Sequence, residues 1–301
     1  MREKIDRIAA TLRGTCVLCV VFALTACGGA ADVRNSPQDE ARSVTLARID
    51  SAQTGATYPI FVYLPASYDS GSTTYPVIYA TDGDATIPPE NRFVNFARIL
   101  QRRQIDAILV GIGGTARRKK DFLLPGAIAY HAFLTQELIP FIESHFRADP
   151  RQRILSGISF GGSFVVTALF LEAPKTLSFS HFISVEGSFW QRSFLAQEQE
   201  FTETIGTKSI PATLILARGA PGPTEFPQLL GGGGSTSMSG ALDLSRGFNP
   251  DNTNDVEVKA FYQRMMNRHY DGLTLIEKDY NTGHIETDNP SFDDAMARIF
   301  Q

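Results

Sequence analysis

The sequence predicts a single α/β domain whose central sheet is mostly parallel and covered by helices on both faces. Three observations carry that expectation. At 301 residues the chain is long enough for one large core. Short Val/Ile-rich runs alternate with segments of helical period, and central strand-like runs such as AILVGI and ATLILA are almost wholly apolar, as strands buried on both faces are.

Strands are expected at 44–49, at 58–64 (YPIFVYL) and at 76–81 (PVIYAT), the last two separated by the turn-rich ASYDSGSTTY. Strand and helix then alternate: a helix near 90–103, a strand at 106–112 (DAILVGI), a helix near 129–147, a strand at 153–158 (RILSGI) and a helix near 160–172. A strand at 181–185 (HFISV), a helix near 191–204, a strand at 212–217 (ATLILA), a helix near 255–269 and a strand at 273–280 complete the series. In the helix near 129–147, Pro140 removes a backbone donor and predicts a kink. Residues 220–253, with GGGGSTSMSG in the middle, have no period and read as a long insertion.

The first 26 residues read as a targeting segment outside the fold. Arg2, Lys4, Arg7 and Arg13 precede the apolar run TCVLCVVFALTA, which is too short to span a bilayer. The run ends in Leu24-Thr25-Ala26-Cys27-Gly28, which resembles the lipobox of bacterial lipoproteins. That resemblance implies a lipid on Cys27. The residues after it are small and polar with no period, so 27–43 is expected to be a flexible tether with a span of roughly 20 Å, followed by the α/β domain over 44–301. Gly28 after the cysteine implies the outer membrane, facing the periplasm. Removal of the segment deletes four basic and two acidic side chains and takes the formal charge from -4 to -6. An acidic chain has no electrostatic footprint for nucleic acid. Cys16 and Cys19 form a C-x-x-C pair inside the segment that is lost, so neither a disulfide framework nor a thiolate metal site is expected.

Gly157-Ile158-Ser159-Phe160-Gly161 is the chain's G-x-S-x-G motif, and it lies between an apolar strand and an apolar helix. In that context a serine is raised on a sharp strand-to-helix turn, with glycines where a Cβ would collide. A serine hydroxyl needs a base, which follows it in the order Ser, acid, His. His131 and His145 precede Ser159, His181 begins a strand and His269 ends a helix at the opposite edge. His284, in the loop that leaves the last strand, sits at the ligand-binding edge of the sheet and is the candidate base. The carboxylate that orients it is expected just past the strand at 212–217. Glu225 follows that strand most closely, with Asp243, Asp251 and Asp255 as alternatives. The oxyanion donors are expected to be the amide of Phe160 and one from Gly83 or Asp84. Arg118, among the basic residues after the strand at 106–112, is a candidate contact to an anionic substrate. Trp190 is a candidate stacking partner for an aromatic one.

Tyr75-Pro76-Val77-Ile78-Tyr79 with Asp82-Gly83, ILVGIGG with Arg118 and Asp121-Phe122, ELIPFIESHF, LSGISFGG, VEGSFW and the final Gly283-His284 together resemble the putative-esterase family of α/β-hydrolases. The resemblance covers residues 58 to about 192, and beyond that only the histidine loop. The family includes S-formylglutathione hydrolases, feruloyl esterases, mycolyltransferases and ferric-siderophore trilactone esterases, and the spacing is most similar to the last. It implies hydrolysis of a small-molecule ester through an acyl-enzyme, with no cofactor. An acyltransferase would share every residue, and a binding lipoprotein would use the fold without the chemistry. The chain departs from the family at YATDGD, where an apolar strand end is usual, and in the insertion.

Gly111-Ile112-Gly113-Gly114-Thr115-Ala116 fits the dinucleotide fingerprint only in outline, because RRKKDFLLPG follows where an amphipathic helix is required. No H-E-x-x-H spacing suggests a catalytic metal.

Overall fold

The computed structural model describes residues 43–220 and 254–301. The targeting segment, Cys27, most of the expected tether, Glu225, Asp243 and Asp251 lie outside the described residues.

Eight strands form one sheet: β1 (Ser43–Ser51), β2 (Ala56–Tyr63), β3 (Tyr75–Ala80), β4 (Ile108–Ile112), β5 (Ala148–Ile158), β6 (His181–Val185), β7 (Thr213–Arg218) and β8 (Thr274–Asp279). Their spatial order is β1-β2-β4-β3-β5-β6-β7-β8. β2 pairs antiparallel with β1 and β4, and every other pairing is parallel. A short hairpin, Thr86–Ile87 with Glu90–Asn91, stands apart from it.

Period-two alternation divides the apolar strand residues between two cores. Val77, Tyr79, Val110, Leu155, Phe182 and Leu216 face one side. Ile78, Ala80, Leu109, Ile154, Ile183 and Ile215 face the other. The helices follow in chain order: α1 (Arg92–Arg102), α2 (Arg118–Phe122), α3 (Gly126–Phe133), α4 (Ile139–His145), α5 (Phe160–Glu172), α6 (Arg192–Ile205), α7 (Asn254–Arg268) and α8 (Asp288–Ile299). α1 and α8 cover the second face through Phe96 and Phe292, whose rings stack at 3.6 Å between centroids. α5, α6 and α7 cover the first, where Phe170, Phe194, Phe201 and Phe261 pack together. α5 is buried on nearly every side, which explains why its sequence is apolar all round rather than striped.

The expected helix over 129–147 is interrupted at the residues before Pro140. A π-turn at Leu134–Leu138 separates α3 from α4, because the proline has no N–H to continue the i→i−4 ladder. α2 and α8 are additions to the expected elements. α2 is a single turn, too short to show a period. In α8, Phe292, Ala295 and Met296 bury one face behind an acidic first turn.

Candidate active site

Ser159 stands between the end of β5 and the start of α5 at φ 59° and ψ −118°, a left-handed conformation that costs a non-glycine residue strain. The turn is held from below by β6, since the Ser159 amide donates to the Val185 carbonyl at 2.9 Å. It is also why its neighbours are glycines. A Cβ at Gly157 would run into the Gly161 carbonyl, and one at Gly162 would meet the Val185 oxygen at 2.7 Å. Neither obstacle is a flexible side-chain end. Gly157→Ala is therefore expected to cost about 1–3 kcal/mol by overpacking, read as a lower midpoint in urea denaturation, together with loss of turnover.

His284 lies in the loop between β8 and α8, and its Nδ1 is 2.8 Å from Oε2 of Glu186. Glu186 directly follows β6 and is itself left-handed, at φ 49°. Its amide donates to Ala217 at 2.8 Å, and its other carboxylate oxygen accepts from the Gly219 amide. Both ends of the residue are thus fastened to β7 and the loop after it. The carboxylate found on His284 consequently comes from one strand earlier than the sequence reading places it. Asp255, the second residue of α7, is buried, and its charge acts on Arg218. Glu186 keeps the chain order Ser, acid, His. Its signal was position: VEGSFW puts a carboxylate immediately after an apolar strand, at the same sheet edge as the nucleophile motif.

Ser188, two residues on, is fully buried, with its Oγ 3.5 Å from the Ser159 Oγ. Asn254, the first residue of α7, donates through Nδ2 to the Glu186 carbonyl at 2.9 Å. The same nitrogen lies 3.4 Å from the Ser188 Oγ and 3.5 Å from His284 Nδ1. One amide group thus touches the surroundings of the serine, the acid and the histidine.

The oxyanion expectations divide. Phe160 opens α5, so its amide belongs to the first turn, which has no intrahelical acceptor. Gly83 is corrected: its amide already donates to the Ile112 carbonyl at 2.9 Å. Gly83 instead permits a close approach, since a Cβ there would meet the Gly111 backbone at 2.9 Å. The Asp84 amide has no acceptor among the described residues. The Asp84 carboxylate fixes the loop by accepting from the Gly114 amide at 2.9 Å and from the Thr115 amide at 3.2 Å.

Arg118 is corrected as well. It is only 5% exposed, and its guanidinium donates to Asp82 Oδ2 at 3.1 Å and to the Ile158 carbonyl at 3.0 Å. It braces the strand end beneath Ser159 rather than meeting solutes. Arg117, beside it, pairs with Asp121. Burial raises the pKa of Asp82, while the neighbouring Arg118 and Arg92 guanidinium groups pull it down. Trp190 is half-buried, packs near Phe160 at 6.4 Å between ring centroids, and donates from Nε1 to Asn254 Oδ1 at 3.0 Å.

Behind the site lies a second buried ion pair. Arg92, the first residue of α1, forks onto Asp288 at 2.8 and 3.0 Å, and reaches the Thr81 carbonyl at 2.6 Å and the Ser156 Oγ at 2.9 Å. Both side chains are fully buried. Asp288 begins the helix after the histidine loop, so the pair ties that loop to β3 and β5. Arg92→Ala would leave Asp288 buried and unpaired, and is expected to destabilise the chain by about 3–5 kcal/mol in urea denaturation.

An eight-stranded sheet with this order, carrying a serine elbow and a carboxylate-bound histidine at the C-terminal ends of its parallel strands, places the chain among the α/β-hydrolases of the serine esterase class. Residues 51–209, just over half of the chain, match the family described as "Putative esterase", and the chain belongs to that family of carboxylic ester hydrolases. The ferri-bacillibactin esterase BesA of Bacillus subtilis (strain 168) is 26% identical over 224 residues, covering 64% of this chain and 73% of that protein. Among solved structures, an IroE-like serine hydrolase from Shewanella oneidensis superposes with a TM-score of 0.67 at 22% identity, covering 87% of this chain and 80% of that one. The siderophore hydrolase EstA from Aspergillus nidulans gives 0.66 at 18% identity, covering 90% and 98%.

Proposed function

We propose that this esterase hydrolyses a siderophore-type ester through an acyl-enzyme on Ser159, with His284 as general base and Glu186 as the residue that orients it. The observation that carries the mechanism is the 2.8 Å contact between His284 Nδ1 and a buried carboxylate. A carboxylate accepts the Nδ1 proton, so the tautomer it selects leaves the basic lone pair on Nε2. That nitrogen takes the Ser159 proton as Oγ attacks the ester carbonyl. The amides of Phe160 and Asp84 hold the developing oxyanion, the alcohol leaves with a proton returned by His284, and water then releases the acid by the same route. The strained turn holds Ser159 in place before substrate arrives, so little reorganisation remains for the transition state.

The substrate class is supported by the likeness to the ferri-bacillibactin esterase. It is tested by measuring kcat/KM on a tri-catecholate trilactone, with and without bound iron, beside feruloyl and p-nitrophenyl esters, with products read by mass spectrometry. Trilactone hydrolysis at least tenfold more efficient than aryl ester hydrolysis is expected. Preference for aryl esters with the trilactone left intact would overturn the assignment.

The lipobox-like LTACG supports the further proposal that Cys27 is acylated and the domain is tethered to the outer membrane of the cell envelope. A diacylated cysteine would anchor it stably, as one chain does not. Mass analysis of the N-terminal peptide from cells is expected to show the lipid, and Cys27→Ala to leave the enzyme soluble. An unmodified mature N-terminus at another residue would contradict it.

A further inference from the structure

We propose that Ser188 is a second catalytic hydroxyl, one that donates to the Ser159 oxygen and assists its departure when the acyl-enzyme breaks down. The inference rests on the reading of Ser159 as nucleophile. The direction of the Ser188 proton follows from the groups around it. The Trp190 indole nitrogen can only donate, so the Asn254 atom that faces it at 3.0 Å is the amide oxygen. The Glu186 carbonyl can only accept, so the atom facing it at 2.9 Å is the amide nitrogen. Two independent partners thus fix the same orientation of the Asn254 side chain. One amide hydrogen goes to the Glu186 carbonyl. The other cannot go to His284 Nδ1, which is itself a donor to Glu186, and so it points to the Ser188 Oγ at 3.4 Å. Ser188 accepts there and has its own proton to give to the Ser159 Oγ, 3.5 Å away. These two contacts, at 3.4 and 3.5 Å, are long, as catalytic hydrogen bonds often are before charge develops. The backbone keeps the two residues in register, with the Ser188 amide donating to the Ser159 carbonyl at 3.3 Å.

Such a donor acts unequally on the two halves of the reaction. In the resting enzyme the Ser159 hydroxyl is already a good acceptor, so the bond changes little as Oγ attacks. In the acyl-enzyme the same atom is the alkyl oxygen of an ester, a poor acceptor because its lone pair is delocalised into the carbonyl. Water adds to that carbonyl and gives its proton to His284. The C–Oγ bond then breaks with its electron pair left on Oγ, and His284 returns the proton there. Ser188 keeps its own proton throughout and donates most strongly as charge gathers on Oγ. Only interactions that strengthen towards the transition state accelerate a step, so Ser188 favours deacylation over acylation.

The test is stopped-flow release of p-nitrophenol from p-nitrophenyl acetate by the wild type and by Ser188→Ala, resolving the acylation and deacylation rates separately. Deacylation is expected to slow about tenfold and acylation by less than about threefold, so that the acyl-enzyme accumulates as a larger burst. Ser188→Cys, which nearly keeps the volume and weakens the donor, is read in the same way should the alanine variant fail to fold. It is expected to move the ratio of the two rates in the same direction. Parallel loss of both rates, or no change in either, would overturn the role of Ser188 and leave the nucleophile untouched. A wild type that forms no acyl adduct at Ser159 would overturn the reading beneath it.

Discussion

Glu186→Gln is expected to lower kcat by roughly three to four orders of magnitude, because it selects the wrong histidine tautomer. The replacement is nearly isosteric, and the local donors decide how it sits. The Gly219 amide must still meet an acceptor, so the glutamine oxygen stays where Glu186 Oε1 now is. The amide nitrogen is thereby turned to His284 Nδ1 in place of Oε2. Facing a donor, Nδ1 has to present its lone pair, and the proton moves to Nε2, the atom that must accept from Ser159. Glu186→Ala imposes no such orientation and leaves the imidazole to choose its tautomer. The glutamine variant should therefore be at least as impaired as the alanine variant, although it disturbs packing less. Parallel steady-state kinetics of the two with a p-nitrophenyl ester checks this. A glutamine variant close to wild type would remove Glu186 from the mechanism.

Larger losses are expected for Ser159→Ala and His284→Ala. Each should reduce turnover by roughly five orders of magnitude or more, because nucleophile and base act as a unit and removal of either abolishes the acyl-enzyme route. For the same reason the double variant should be little worse than either single one. A double-mutant cycle on kcat/KM reads this directly, with additive losses the contrary result. Ser159→Ala should leave the strain at φ 59° in place, since alanine is no better suited to that region. Its stability is expected to stay close to wild type.

The sequence revealed most of the sheet because the central parallel strands carry runs that are apolar on both faces and bounded by turn residues, and the order of strands and helices is preserved in the structure. It singled out Ser159 and His284 as candidates for a related reason. Their candidacy depends on local context: a glycine-flanked turn in one case, a loop leaving the last strand in the other. Glu186 was hidden because an orienting carboxylate needs only to reach the imidazole, and two neighbouring strand ends can both supply one. Chain order alone does not choose between them. Arg118 misled because charge reads as exposure. Its partners, Asp82 and the Ile158 carbonyl, are distant in sequence and come together only when β3, β5 and α2 pack. Gly83 misled in the opposite sense: the glycine marks close passage over Gly111, and its amide is spent on β4. The Arg92–Asp288 pair, nearly two hundred residues apart in the chain, leaves no local pattern at all.

The central claim is that Ser159 is an activated nucleophile. Treating the folded wild-type domain with a fluorophosphonate and mapping the adduct by peptide mass spectrometry tests it most directly, with Ser159→Ala and His284→Ala run beside it. Labelling on Ser159 that is absent from the first variant and strongly reduced in the second is the predicted result. A folded wild type that takes no label, or takes it on another residue, would contradict the account.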